Sequence, residues 1–155
     1  MRRNRITFTV IASLVISLNF GLTEAHPAVS TSNNFNCRLK VDAAHLSTNA
    51  VKKGRGSAVK VKARTICDAF QDQTQISIRI FKEGLFRDHG SKTFPLTSEK
   101  KSGFVVEHKT AEIPCVDGRL TKFYGKANAT IVIKGHVINL GPSSSEYIVP
   151  LCCGT

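Results

Sequence analysis

The stretch Ala58–Cys67, AVKVKARTIC, alternates with a period of two. Successive side chains of an extended chain point to opposite faces. Ala58, Lys60, Lys62, Arg64 and Ile66 then share one side, and Val59, Val61, Ala63, Thr65 and Cys67 the other. This is the pattern of a strand with one buried face. Same-face residues sit about 6.5–7 Å apart along a strand, so three cations in a row repel one another unless something negative lies across them. A cross-strand acid would serve, with Glu83 and Glu107 as candidates, and so would an external polyanion. Lys52, Lys53 and Arg55 lie just upstream and extend the cationic patch.

The same reading carries outward along the chain. FNCRLKV, residues 35–41, alternates with Phe35, Cys37, Leu39 and Val41 inward. TQISIRIF turns Ile76, Ile78 and Ile80 to one face, with Ser77 and Arg79 on the other. KEGLFRDHGSK, with two glycines and mixed charge, reads as a turn. KTFPL is a short strand whose Pro95 suits an edge, and GFVVEHKTAEI is another strand. Thr121–Lys134 is the longest β-prone run, with Gly125 expected at a bulge, and a last strand ends in the paired cysteines. Residues 42–53 are open to two readings: a short helix capped by Asp42 and ending at Gly54, or a long loop. About seven short strands, frequent turn signals and at most one short helix predict an all-β sandwich forming one domain over residues 35–155.

Ahead of that domain, three arginines precede a mostly apolar run from Ile6 to Leu22, and Thr23-Glu24-Ala25 supplies small residues at a cleavage site. Residues 1–25 are therefore expected to be a secretory signal peptide, and residues 26–34 a flexible, polar arm. No later segment is long and apolar enough to be a transmembrane span. The full chain carries a formal charge of +11; removing the signal takes away three arginines and one glutamate, leaving 130 residues at +9. Such a basic domain is drawn to polyanions. Five cysteines, Cys37, Cys67, Cys115, Cys152 and Cys153, suggest disulfides in an exported chain, with one sulfur left over.

Signals for chemistry are sparse. No CxxC or histidine pair has zinc-ligand spacing, and no cofactor is expected. Cleavage after Ala25 would place His26 at the N-terminus as a copper-chelating end, but the sequence fixes no partner histidine for it. His108 and His136 are the nearest candidates for ribonuclease-type acid–base work, yet Glu107 and His108, adjacent on a strand, point to opposite faces. No GxSxG nucleophile motif is present. Asn128-Ala129-Thr130 is a glycosylation sequon inside a predicted strand. Tryptophan is absent and tyrosine scarce, so Phe81 alone offers a stacking ring and specific nucleic-acid binding is not expected.

Taken in order, AHLST at 44–48, VKVKARTIC at 59–67, ISIRIFKEG at 76–84, IPCVDG at 113–118, YGKANATI at 124–131 and a cysteine near the end resemble small secreted four-cysteine proteins of actinobacteria. The likeness covers residues 37–153. It implies an immunoglobulin-like sandwich with a bridge between Cys37 and Cys67, and a second from Cys115 to Cys152 or Cys153. The extra C-terminal cysteine departs from the four-cysteine pattern, and the resemblance implies no activity. FNC at 35–37, soon after a signal segment, is also similar to fungal ribonuclease-like effectors, which implies a bridge from Cys37 to the last cysteine; the middle of the chain departs from that pattern.

The expected function is that of a secreted, basic, disulfide-bonded binding protein without catalytic activity. Its expected ligand is an anionic polymer, glycan or cell surface, held by Lys52, Lys53, Arg55, Lys60, Lys62 and Arg64. The alternative is a ribonuclease-like effector or toxin. A third reading is an interaction module that pairs with a protein through an edge strand or the spare cysteine.

Overall fold

The computed structural model describes residues 28–32, 35–52, 54, 56–98 and 103–154. The expected signal segment, His26, Lys53 and Arg55 lie outside these residues. The protein is all-β, with two antiparallel sheets and two disulfides. Its elements are β1 (Ala28–Ser32), β2 (Phe35–Val41), β3 (His45–Leu46), α1 (Thr48–Lys52), β4 (Ala58–Gln71), β5 (Gln73–Lys82), β6 (His89–Gly90), β7 (Phe94–Ser98), β8 (Gly103–Pro114), β9 (Asp117–Ile133), β10 (His136–Ser144) and β11 (Val149–Gly154). Eleven strands among the described residues exceed the seven or so expected. Two of the extra ones are two-residue pairings too short to leave a period in the sequence. A third, β1, lies in the stretch expected to be a flexible arm; it pairs antiparallel with β2 from Ala28↔Leu39 to Ser32↔Phe35.

In the first sheet β4 is the central strand. β2 and then β3 run along one side of it and β8 along the other. In the second sheet β9 is the spine. β5 lies on one side, and β10 followed by β11 on the other. Among the described residues β7 pairs only with β5, so Pro95, which has no N–H to donate, sits on an edge strand as expected. The inward rows of both sheets form one core. Leu39 and Val41 of β2 and Val59, Val61 and Ala63 of β4 join Ile76, Ile78 and Ile80 of β5 and Phe123, Ala127, Ala129, Ile131 and Ile133 of β9. The alternation read from AVKVKARTIC therefore holds through Val59–Cys67: odd positions are buried and even ones partly exposed.

A single residue, Asp72, separates β4 from β5, and there the chain passes from one sheet to the other. The corner carries polar groups that a core would otherwise expel, and each has a partner. Buried Gln71 accepts through Oε1 from Thr65 Oγ1 (2.7 Å) and Thr74 Oγ1 (2.8 Å), and its Nε2 donates to the Phe104 carbonyl (3.0 Å). Asp72 accepts the Lys134 N–H at 2.6 Å across the β9–β10 turn.

The open reading of residues 42–53 resolves, as far as the described Lys52, as a connection that pairs briefly with β4 as β3 and ends in one helical turn. Ser47, not Asp42, caps it: the Ala50 N–H donates to Ser47 Oγ at 3.3 Å, and Gly54 at φ +66° closes it. Gly125 is not a bulge. β9 pairs with β5 without a break from Phe123 to Val132, and the irregularity falls on β10, between Leu140 and Ser143. Gly125 is needed for a different reason: a Cβ there would overlap Val61 Cγ1 and crowd Val41 Cγ1 across the core.

Cys37 and Cys67 are register partners on β2 and β4 and form one bridge, with Cα atoms 4.2 Å apart. No bridge joins Cys37 to a C-terminal cysteine. The second bridge is Cys115–Cys153, and Cys152 is free and exposed. Neighbouring residues of β11 face opposite ways, so burial of Cys153 turns Cys152 outward to solvent.

Candidate functional site

The cationic row of β4 lies on the outer face of the first sheet, where Lys60, Lys62 and Arg64 are each partly exposed. Its neighbours differ on the two sides. Toward β8, Lys60 is opposite Glu112 and Arg64 opposite Glu107, while Lys62 falls at the register shift between Val61 and Ala63. Glu107 thus lies where a cross-strand acid was expected, although its closest ion pair is with Lys109 at 2.8 Å. Glu83 does not serve: it follows β5 of the second sheet and is paired with Lys122 at 2.9 Å. Toward β2 the neighbour of Arg64 is Lys40, a like charge. Lys52 is exposed at the end of α1.

The row therefore continues in charge across β2 rather than upstream. Arg38 and Lys40, exposed on the outer face of β2, join Arg64 in lining a groove of about 480 Å³. Val41, Ile66, Ser143, Ser144 and Glu146 complete its walls. The β10 irregularity brings Ser143 to β2, where its hydroxyl donates to the Leu39 carbonyl at 3.3 Å. Three cations, two hydroxyls and one acid make the groove a predominantly cationic site. Arg64 is incompletely held: one terminal nitrogen reaches Asp42 Oδ1 at 3.4 Å, and its buried Nε has no hydrogen-bond partner. A buried unpaired donor of this kind costs about 1–3 kcal/mol.

Arg38 and Lys40 were not among the residues singled out from sequence. The signal was there, because the FNCRLKV alternation that buries Cys37 and Leu39 sends Arg38 and Lys40 outward. Phe81, the stacking ring expected near the row, lies instead on the outer face of the second sheet. There it stacks on Tyr124 with centroids 5.2 Å apart.

The histidine candidates are not brought together for catalysis. His108 is 1% exposed. Its Nε2 donates to the Phe94 carbonyl at 2.9 Å, and its Nδ1 accepts the Thr110 N–H at 3.3 Å. Both ring nitrogens are thus occupied within the protein. His136, exposed at the start of β10, packs its ring against Phe35. Burial holds the His108 pKa below its ordinary 6.5, partly offset by the Phe94 bond. The unfolded chain then takes up the proton before the folded one does. Stability is full above about pH 6.5 and declines as the pH falls toward the depressed folded value. His108→Gln should flatten that acid limb in unfolding titrations between pH 7 and 5; an unchanged limb would assign it to other groups.

Among the described residues, no group of three or more His, Cys, Asp or Glu side chains is placed to hold a metal ion, and no helix is long and apolar enough to cross a membrane. No family model matches the chain, and neither the curated proteins nor the solved structures give a significant match.

Proposed function

We propose that this is a secreted binding protein that engages an anionic polymer, glycan or cell surface through the groove lined by Arg38, Lys40 and Arg64. Lys52, Lys60 and Lys62 extend the positive field beyond it. The observation that carries this reading is the meeting of three cations from two strands around one concavity. Guanidinium, ammonium and free hydroxyl groups are the donors that carboxylate, sulfate or phosphate oxygens accept from. The Ser143 hydroxyl is already given to the Leu39 carbonyl, which leaves Ser144 beside the cations. The 3.4 Å contact of Arg64 with Asp42 is long for a charge-assisted bond, so an incoming anion displaces little. Two disulfides and the net charge of the chain support a role in an oxidising compartment that holds acidic polymers.

The reading is tested by salt titration on immobilised dextran sulfate. Affinity should fall steeply with ionic strength, as cation–polyanion contacts require. Arg38→Glu/Lys40→Glu should weaken binding by at least tenfold, about 1.4 kcal/mol. The same charge change at Arg119 and Lys134, both outside the groove, should cost much less. Equal losses in the two variants would mean that net charge, and not the groove, holds the polymer.

A further inference from the structure

The connection between β5 and β6 carries Leu85 and Phe86 at its tip, 91% and 97% exposed. Water-facing apolar side chains usually fold back onto a surface when a loop is loose. This loop is braced. Asp88 accepts the Gly84 N–H through Oδ1 at 3.2 Å and the Tyr124 hydroxyl through Oδ2 at 2.5 Å. Glu83 is tied twice to Lys122, by an N–H bond to its carbonyl and an ion pair to its ammonium, each 2.9 Å. A Cβ at Gly84 would overlap the Arg87 carbonyl oxygen, so the turn closes only with glycine. Tyr124 is itself fixed, stacked on Phe81 and 8% exposed. Burial and the Asp88 bond push its pKa up to about 12, so the hydroxyl stays a donor at any physiological pH.

Both acids of the loop are consumed in this bracing, whereas the cations nearby stay available. Arg87 follows Phe86 in the tip and is exposed, and at the base of the connection Arg79 and Lys126 lie over the Phe81 ring at 5.4 and 5.2 Å. An exposed apolar tip with one cation beside it and two more at its base is complementary to a bilayer with anionic headgroups, where apolar side chains reach the acyl boundary and cations stay among the phosphates. We propose that the Leu85–Phe86 loop is a preformed wedge that inserts into an anionic lipid surface. This contact is separate from the groove, which lies on the outer face of the other sheet.

The test uses vesicles of equal parts phosphatidylcholine and phosphatidylglycerol, with pure phosphatidylcholine for comparison. The protein should sediment with the anionic vesicles and much less with the neutral ones. Leu85→Ser/Phe86→Ser should weaken that binding at least tenfold, with an unchanged melting temperature because neither side chain packs in the core. The chain has no tryptophan, so Phe86→Trp gives a single reporter. Its emission should shift to the blue on anionic vesicles and be quenched by brominated acyl chains. Absence of vesicle binding, or an unshifted tryptophan, overturns the proposal. So does binding that survives Leu85→Ser/Phe86→Ser but is lost in Arg38→Glu/Lys40→Glu, which would assign the lipid contact to the groove.

Discussion

Replacing Cys115 and Cys153 together with alanine is expected to lower stability by roughly 4 kcal/mol, while Cys152→Ala leaves it unchanged. The bridge closes a separation of 38 residues, and in the chain-entropy account a loop of that length restricts the unfolded chain by about that much. The Cys37–Cys67 bridge closes 30 residues. Because the dependence on length is logarithmic, its removal should cost nearly the same. Loss of Cys153 also leaves a small void, as the residue is fully buried. Cys152 faces solvent and contributes neither term. Urea midpoints under non-reducing conditions separate the cases. A midpoint for Cys152→Ala that falls as far as that of the double variant would mean the two adjacent sulfurs share the bridge.

Gly125→Val is expected to destabilise the fold by about 3 kcal/mol, the upper part of the range for overpacked cores. The position lies opposite Ile80 in an unbroken ladder, so the backbone there has no freedom to move away. The added carbon would meet Val61 and Val41 of the facing sheet, and two further methyls would enlarge the overlap. The sharpest check is rescue. Val61→Ala alone should destabilise by opening a void, but in the Gly125→Val background it should restore part of the loss, a coupling that a double-mutant cycle measures. Strict additivity of the two changes would show that Gly125 serves some purpose other than close approach of the sheets.

Most of the strand layout was legible because its signal is local. The period of two in AVKVKARTIC, FNCRLKV and TQISIRIF assigns each residue a face, and the structure buries those faces. Gly125 was misread because a glycine inside a strand pattern has two physical causes, a bulge or a close neighbour, and only the opposite sheet distinguishes them. The choice between Cys152 and Cys153 was open for a similar reason: alternation says they point apart but not which way is in. The groove was half legible. Its strand cations follow from alternation, whereas Ser143, Ser144 and Glu146 reach it only because β10 departs from its ladder after Leu140. In the sequence the Leu85–Phe86 tip is simply part of a turn. Composition cannot say whether an apolar pair in a turn folds inward, and here the answer lies in Asp88 and Tyr124, 36 residues apart.

The pairing of β2 with β4 has a consequence for how the chain acquires its shape. Strand β8, which flanks β4 in the first sheet, and β9, the spine of the second, lie late in the sequence, so neither sheet can be completed until most of the chain is available. Pairings this distant make for slow folding. Cys37 and Cys67, by contrast, both precede every other cysteine and face each other across a β2–β4 pairing that lies wholly in the first half of the chain. A chain delivered from its N-terminus can oxidise that pair while the other three thiols are still absent. The many partnerships open to five cysteines then reduce, in order of arrival, to one choice among the last three, and the inward turn of Cys153 makes it.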